Sequence, residues 1–248
     1  FSEPEKNKET IFVWPEGVFT GYNLSDISYF QQLIKDNFSD NHKIIFGINS
    51  YDQATNKTYN SMVLIDNKFK IIEKYNKKKL VPFGEFLPFE NILNQIGIKK
   101  VTYGYNSFSK GLEQKNFNIN NSKILPLICY EIIFTELTQK AEDFNLIINI
   151  SEDAWFGNSI GPHQHFTKAI FRAVESNVYV LRSANKGISA FINNRGQVVK
   201  SLSPNEIGNI EMKVPIFNNR LKNRNDLIFF LLLFTYTLIF FTLRNKLK

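Results

Sequence analysis

The stretch at 124–134, Ile-Leu-Pro-Leu-Ile-Cys-Tyr-Glu-Ile-Ile-Phe, limits the folds open to this chain more than any other. Residues 124–128 are apolar, rich in branched side chains and too few for a helix, which reads as a buried strand. A helix-like segment, 131–141, follows almost at once. Cys129, the only cysteine of 248 residues, stands at the junction. There its sulfur would lie near backbone N–H groups that have no partner in the first helical turn. Their partial positive charge is expected to lower the thiol pKa and sharpen its nucleophilicity. A lone cysteine is also an ordinary small buried hydrophobe, so residues elsewhere must decide its role.

Further strands are predicted at 10–14, 43–48, 61–65, 69–75, 146–150, 178–181, 188–192, 198–202 and 207–213. Asp66-Asn67-Lys68 and Asn194-Arg195-Gly196 are turn-like joints between neighbours. A helix is predicted from Ser25, its cap, to Phe38, with Ile27, Phe30, Leu33, Ile34 and Phe38 on one face. A short helix is expected at 89–96 and a strong one at 163–176, where Phe166, Ala169, Ile170, Ala173 and Val174 recur at helical spacing. Strands with helices between them make an α/β domain of layered sheets. The loop 77–88 holds two prolines and a glycine, yet it is apolar enough to need something to pack on.

Hydrophobic content of 43% with 24 Phe excludes a disordered chain, and a single cysteine excludes an internal disulfide. The net charge of +7 suggests nucleic acid until it is located. Residues 218–248 hold six basic side chains, Arg220, Lys222, Arg224, Arg244, Lys246 and Lys248, against the single acid Asp226. The tail therefore carries +5 of the total, and no nucleic-acid partner is expected. Within it, 227–243 is an uncharged apolar run that a helix would stretch to roughly 25 Å, short for a bilayer but flanked by Lys and Arg that can snorkel. It is read as a membrane span, with 218–226 a basic linker and 244–248 a basic tail. Equal basic flanks leave its orientation undecided. The first ten residues are polar and lack an initiating Met, as expected of a cut inside a longer protein, so the domain at 1–217 is expected to be truncated at its start.

Three polar residues stand at strand ends or just beyond them: Glu16, Lys77 and Cys129. A thiol nucleophile needs a base for its proton and a fixed positive group for the oxyanion that forms. A partly buried glutamate can be the base. A lysine can hold the oxyanion together with the N–H of Tyr130. Taken singly, Glu16 reads equally as a surface carboxylate and Lys77 as part of a solvated run. His163 and His165, two apart at a helix start, point to different faces with no Cys or acidic cluster to complete a site, so neither a metal nor a cofactor is expected.

Trp14-Pro-Glu16, Tyr75-Asn-Lys77, Leu80-Val-Pro-Phe-Gly-Glu85 and Ile128-Cys-Tyr-Glu131 resemble the Glu-Lys-Cys motifs of the nitrilase superfamily. Within it, Leu80 to Pro88, Ser107-Phe-Ser, Asp153-Ala-Trp-Phe-Gly157, Ile160-Gly-Pro-His-Gln-His165 and Leu181-Arg-Ser-Ala-Asn185 resemble the apolipoprotein N-acyltransferases. The resemblance runs from about Ile11 to Gly196. It implies a nitrilase-like α-β-β-α sandwich followed by one transmembrane helix, the sandwich lying on the periplasmic side of a bacterial inner membrane. It implies a ping-pong acyl transfer from a phospholipid, through a Cys129 thioester, to the N-terminal amine of a diacylglyceryl-modified lipoprotein. Glu16 maps to the general base and Lys77 to the oxyanion lysine. Glu85 maps to a glutamate that orients Lys77 or the base, and Tyr130 and Glu131 to residues beside the nucleophile. The pattern departs at Glu152, where the family usually has Asn. It also departs upstream of Glu16, where the family's membrane helices and first elements are replaced by polar residues.

Two other readings use the same residues. A soluble-type amidase would split a small amide with water at the same three groups, and the membrane span argues against it. A catalytically dead, membrane-anchored binding domain would leave Cys129 walled off with Glu16 and Lys77 far away.

Overall fold

Residues 42–52 show how the layers arise. Along this strand Ile44, Phe46 and Ile48 point to one face and Ile45 and Gly47 to the other, so both faces are apolar and both must be covered. The computed structural model describes residues 4–89, 107–141, 143–217 and 226–246. The first sheet there runs β1 (Thr10–Val13), β2 (His42–Asp52), β3 (Lys57–Asp66), β4 (Ile71–Asn76) in spatial order. The second contains β5 (Phe117–Ile119), β6 (Ser122–Ile128), β7 (Leu146–Glu152), β8 (Tyr179–Asn185), β9 (Ser189–Ile192) and β10 (Val198–Leu202), in the order β10-β9-β8-β7-β6-β5.

Between the sheets lies a core of Ile45, Met62, Leu64 and Tyr75 from the first against Ile124, Ile128, Leu146, Ile148 and Ile150 from the second. The outer face of the first sheet is covered by a 3-10 helix at Leu24–Phe30 and by α1 (Gln31–Asn37), through Ile27, Ile34 and Phe38. The outer face of the second is covered by α2 (Thr135–Gln139) and α3 (Gly161–Ser176), which bring Leu137, Ala169 and Ala173 onto Leu125, Leu127, Ile147 and Val180. This is the α-β-β-α sandwich that the sequence motifs imply.

Several sequence expectations need correction. The helix predicted from Ser25 to Phe38 has its cap two residues earlier, at Asn23, whose N–H donates to Asp26 Oδ2 at 2.8 Å. It is a 3-10 turn running into a short α-helix, and Leu33 faces solvent. The helix predicted at 131–141 is likewise split, a 3-10 turn at Cys129–Ile133 and then α2, with Phe134 extended between them. The strand predicted at 207–213 is absent. Ile207 to Asn209 are exposed, burial alternates only from Ile210 to Ile216, and Val214 and Ile216 pack on the inter-sheet core, but the segment joins no ladder among the described residues. It is held by side chains instead, Lys200 Nζ donating to the Glu211 carbonyl at 2.7 Å and Lys8 pairing with the Glu211 carboxylate. Of the helix predicted at 89–96, only Phe89 is described; the rest lies outside the described residues.

The apolar tail forms α4 (Asp226–Lys246), of which Leu227–Asn245 is long and apolar enough to cross a membrane, with a mean hydropathy of 2.1 and none of it buried. The hydroxyls of Thr235 and Thr242 donate to the Leu231 and Leu238 carbonyls at 3.0 Å, so neither needs water.

A close approach fixes the start of the 77–88 loop. A Cβ on Gly111 would stand 2.0 Å from the carbonyl oxygen of Asn76, while the Gly111 N–H donates to the Lys77 carbonyl at 2.8 Å. Gly111→Ala should cost about 1–3 kcal/mol, lowering Tm by about 2–4 °C for each kcal/mol in a chain of this size. Calorimetry of the variant beside the wild type checks this.

Candidate active site

Strand direction gathers the polar residues at one end of the sandwich. β1 and β2 are parallel, and β4 runs with β2 because each is antiparallel to β3. In the second sheet β6, β7 and β8 are parallel. Glu16 lies three residues past β1, Lys77 directly follows β4, Cys129 directly follows β6 and Glu152 ends β7. All four leave carboxyl ends of strands, the side on which open α/β sheets bind ligands. A bond between the sheets closes the group: the Glu152 N–H donates to Glu16 Oε2 at 3.0 Å.

Trp14 anchors the chain just before Glu16. Its N–H donates to the Ile45 carbonyl at 2.8 Å, and its ring lies about 6 Å from those of Phe19, Phe38 and Phe46. Gly47 supplies the room, since a Cβ there would stand 3.0 Å from Glu16 Cα.

Lys77 is 1% exposed. Its Nζ donates to Glu85 Oε1 at 2.9 Å and lies 4.0 Å from Glu16 Oε1. Burial alone would push its pKa down, but the charges of Glu16 and Glu85 reverse that and hold it well above the ordinary lysine value. It therefore stays an ammonium. Asn60, on β3, binds both carboxylates, its Nδ2 donating to Glu16 Oε1 at 2.7 Å and to Glu85 Oε1 at 2.8 Å. Glu85 Oε2 accepts from the Val81 N–H at 2.9 Å, so the same side chain shapes its own loop. In that loop Leu80 and Leu87 turn inward while Phe83 and Phe89 stay exposed.

Glu131 is fully buried and joins two loops. Oε1 accepts from the N–H groups of Lys78 and Lys79 at 2.7 and 3.0 Å and from the Tyr75 hydroxyl at 2.8 Å. Oε2 accepts from the Ile128 N–H at 2.9 Å. Burial raises its pKa against the pull of these donors and of Lys77. Lys77 and Cys129 are thus held in register by one carboxyl.

Cys129 is partly exposed and has φ 50°, the left-handed region that a side chain with a Cβ adopts only under constraint. Its thiol pKa is not lowered, as its place at a helix start predicts, but pushed up to about 12. Burial is the main cause and the Glu16 carboxylate the next; Lys77, Ser151 and the Glu152 N–H pull the other way without prevailing. The resting site holds a neutral thiol beside a carboxylate and an ammonium, so attack by sulfur requires a base.

Behind Cys129 lies a buried polar cluster that motif spacing did not reveal. His165 Nε2 is 3.1 Å from the Cys129 carbonyl oxygen, and Nδ1 is 3.0 Å from Asp153 Oδ1 and 3.1 Å from Arg182 Nη2. Arg182 Nη2 donates to Asp153 Oδ2 at 2.7 Å and Nη1 to Asn149 Oδ1. Burial raises the Asp153 pKa, but His165, Arg182 and Ser151 outweigh it and hold the carboxyl at about 2. His163 is exposed, so the two histidines diverge as their spacing requires. Trp155 is exposed, and Tyr130 and Phe156 set their rings about 6 Å from that of His165. The Glu152 side chain accepts from Asn185 Nδ2 at 2.6 Å and from the Ala154 N–H at 3.1 Å. Its contact with Glu16 is made by backbone, so the Asn-to-Glu departure leaves that link intact.

Comparison with known proteins bears on this arrangement. Apolipoprotein N-acyltransferase of Rhizobium leguminosarum bv. trifolii is 39% identical over 225 residues, which is 87% of this chain and 42% of the relative. The chain thus spans about two fifths of the curated relatives it matches. Among solved structures, Saccharomyces cerevisiae Nit3, of the nitrilase superfamily, superposes with TM-score 0.58 at 21% identity, over 80% of this chain and 74% of its own. An amidase from Nesterenkonia sp. AN1, carrying the acetamide moiety of fluoroacetamide on its active-site cysteine, does so with TM-score 0.57 at 16% identity, over 79% and 74%. Both share the fold described above. The carbon-nitrogen hydrolase profile matches residues 2–216, nearly the whole sandwich, and the chain belongs to that family.

Proposed function

We propose that this domain is the catalytic part of a membrane-bound N-acyltransferase. It moves a fatty acyl chain from a phospholipid to the N-terminal amine of a diacylglyceryl-modified lipoprotein, on the periplasmic side of a bacterial inner membrane. The observation that carries the reading is a desolvated Lys77 ammonium held by Glu85 and Glu16 and electrostatically coupled to the Cys129 thiol. The name of relatives at 33–39% identity supplies the substrate class. The unburied apolar helix α4 supports the membrane setting, since both substrates are lipids.

In this mechanism Glu16 takes the thiol proton as Sγ attacks the ester carbonyl carbon. The electron pair moved onto the carbonyl oxygen is stabilised by Lys77 and the Tyr130 N–H. The oxyanion collapses, the ester C–O bond breaks, and the leaving alkoxide takes the proton from Glu16, giving a lysophospholipid and the Cys129 thioester. The lipoprotein amine then attacks the thioester, loses a proton to Glu16, and the sulfur leaves to be reprotonated. Glu85 and Asn60 orient Lys77 and Glu16, and Glu131 holds the Lys77 loop against the nucleophile. The half-exposed loop 80–89 forms the acyl-contact surface, with Phe83 and Phe89 outward. On this reading the domain lies within 1–217 and the span within α4, which takes in Asp226 from the expected linker 218–226.

Incubation with phospholipid vesicles followed by mass spectrometry should give a fatty-acyl adduct on Cys129. Cys129→Ala should give none, and Cys129→Ser should acylate far more slowly. Glu16→Gln should slow adduct formation by about 10²–10⁴-fold, the usual contribution of a general base. Normal acylation of that variant would remove Glu16 from its role, and exclusive hydrolysis of small amides would favour the amidase.

The thiol's titration gives a separate check. The Glu16 anion raises the Cys129 pKa and the Lys77 cation lowers it. Thiolate ultraviolet absorbance should therefore appear at lower pH in Glu16→Gln than in the wild type, and at higher pH in Lys77→Met. Unchanged midpoints would mean that the three groups are not coupled.

A further inference from the structure

Resting on the assignment of Cys129 as nucleophile, we propose that Arg182, Asp153 and His165 form a positioning network that aims the Tyr130 N–H at the reacting carbonyl by holding the Cys129 carbonyl behind it. The two groups belong to one rigid peptide plane, in which C=O and N–H point in opposite directions. Whatever fixes the Cys129 carbonyl therefore fixes the Tyr130 donor. At φ 50° this peptide is in a costly conformation that the surroundings must enforce. His165 Nε2, 3.1 Å away, supplies the restraint, and Asn149 Nδ2 at 3.4 Å adds a weaker one.

The direction of the His165 proton follows from its neighbours. Arg182 can only donate hydrogen bonds, and its Nη2 lies 3.1 Å from Nδ1. In the neutral ring, Nδ1 accepts from Arg182 and the proton sits on Nε2. In the charged ring, Nδ1 donates to Asp153 and Nε2 still carries a proton. Both of these forms donate to the Cys129 carbonyl; the neutral one leaves the Nδ1 lone pair facing Asp153 Oδ1 at 3.0 Å, whereas the Nδ1–H tautomer leaves the Nε2 lone pair facing the Cys129 carbonyl. The Cys129 carbonyl is held by any form of the ring that carries a proton on Nε2.

The cost of the arrangement argues for a role. The side chains of Arg182 and Asp153 are 0% exposed, and buried ion pairs of this kind are often no more stabilising than apolar residues of the same volume. The chain also makes space for the pair, since a Cβ on Gly187 would stand 2.2 Å from Asp153 Oδ2.

Two reactions of the same thiol separate positioning from mere support. Acylation by p-nitrophenyl butyrate passes through an oxyanion, while alkylation by iodoacetamide does not. In the full chain, His165→Leu should slow the nitrophenolate burst by about 10²-fold, the cost of losing one oxyanion donor, with alkylation essentially unchanged. His165→Gln, whose amide can donate in place of Nε2, should recover most of the burst. Parallel loss of both reactions, a normal burst in His165→Leu, or a Gln variant no better than Leu would each overturn the network. A wild type that alkylates but shows no burst would refute the nucleophile assignment and the network with it. A burst from the aryl ester without an adduct from phospholipid vesicles would refute only the lipid donor.

Discussion

An ammonium at Lys77, closed off from water, is the constraint that the rest of the site answers to. Such a charge persists only if it is paired and hydrogen-bonded. Glu85 at 2.9 Å and Glu16 at 4.0 Å provide the pairing, and Asn60 keeps the two carboxylates from drifting apart. Removing one partner of a buried pair costs about 3–5 kcal/mol because the other charge is left stranded. Two carboxylates therefore cannot be traded away singly, and the position of Glu16 is tied to that of Lys77. Glu131 extends the same linkage to the nucleophile by gripping the Lys78 and Lys79 amides with one oxygen and the Ile128 amide with the other.

The electrostatics set a division of labour. A thiol pushed up to about 12 is inert until a base and a substrate are both present. That suits the acyl transfer proposed above, in which a free thiolate would react with whatever arrived. The Lys77 cation does little to ionise sulfur at rest, because Glu16 stands beside it. In the proposed mechanism its effect is felt once Glu16 has accepted the proton and negative charge has moved to the carbonyl oxygen. Preorganised charge of this kind gains most in a dry site.

Much of this was legible in the residues. The apolar runs at 124–128 and 146–150 read as buried strands and are, and the phrases around Glu16, Lys77 and Cys129 mark them at strand ends; the parallel pairing that collects them on one side does not show in the pattern. What could not be read depended on tertiary contact. Local reasoning puts a cysteine at a helix start and lowers its pKa; burial and a carboxylate from the other sheet reverse the sign. The strand expected at 207–213 has no ladder partner among the described residues; Ile207 is fully exposed, and Glu211 is held by Lys8 and Lys200 instead. Asn23, not Ser25, fills the capping position, because Asp26 reaches back to it. Asn60 and the Arg182–Asp153–His165 cluster carry no spacing signal, since the contacts of Asn60 with Glu16 and Glu85 and those among the three cluster residues span 12 to 44 residues. The phrases containing Asp153, His165 and Arg182 were visible as motifs, but the link from them to the Cys129 carbonyl required coordinates.

The central physical claim is that an acyl carbonyl on Cys129 would lie between Lys77 and the Tyr130 N–H and be polarised by both. Infrared difference spectroscopy of a carbonyl-labelled acyl group on Cys129 measures this directly. The expected thioester band lies at lower frequency than that of a thioester in water and moves back toward it in Lys77→Met. A band at the aqueous position in the wild type, unmoved by that substitution, would contradict the claim.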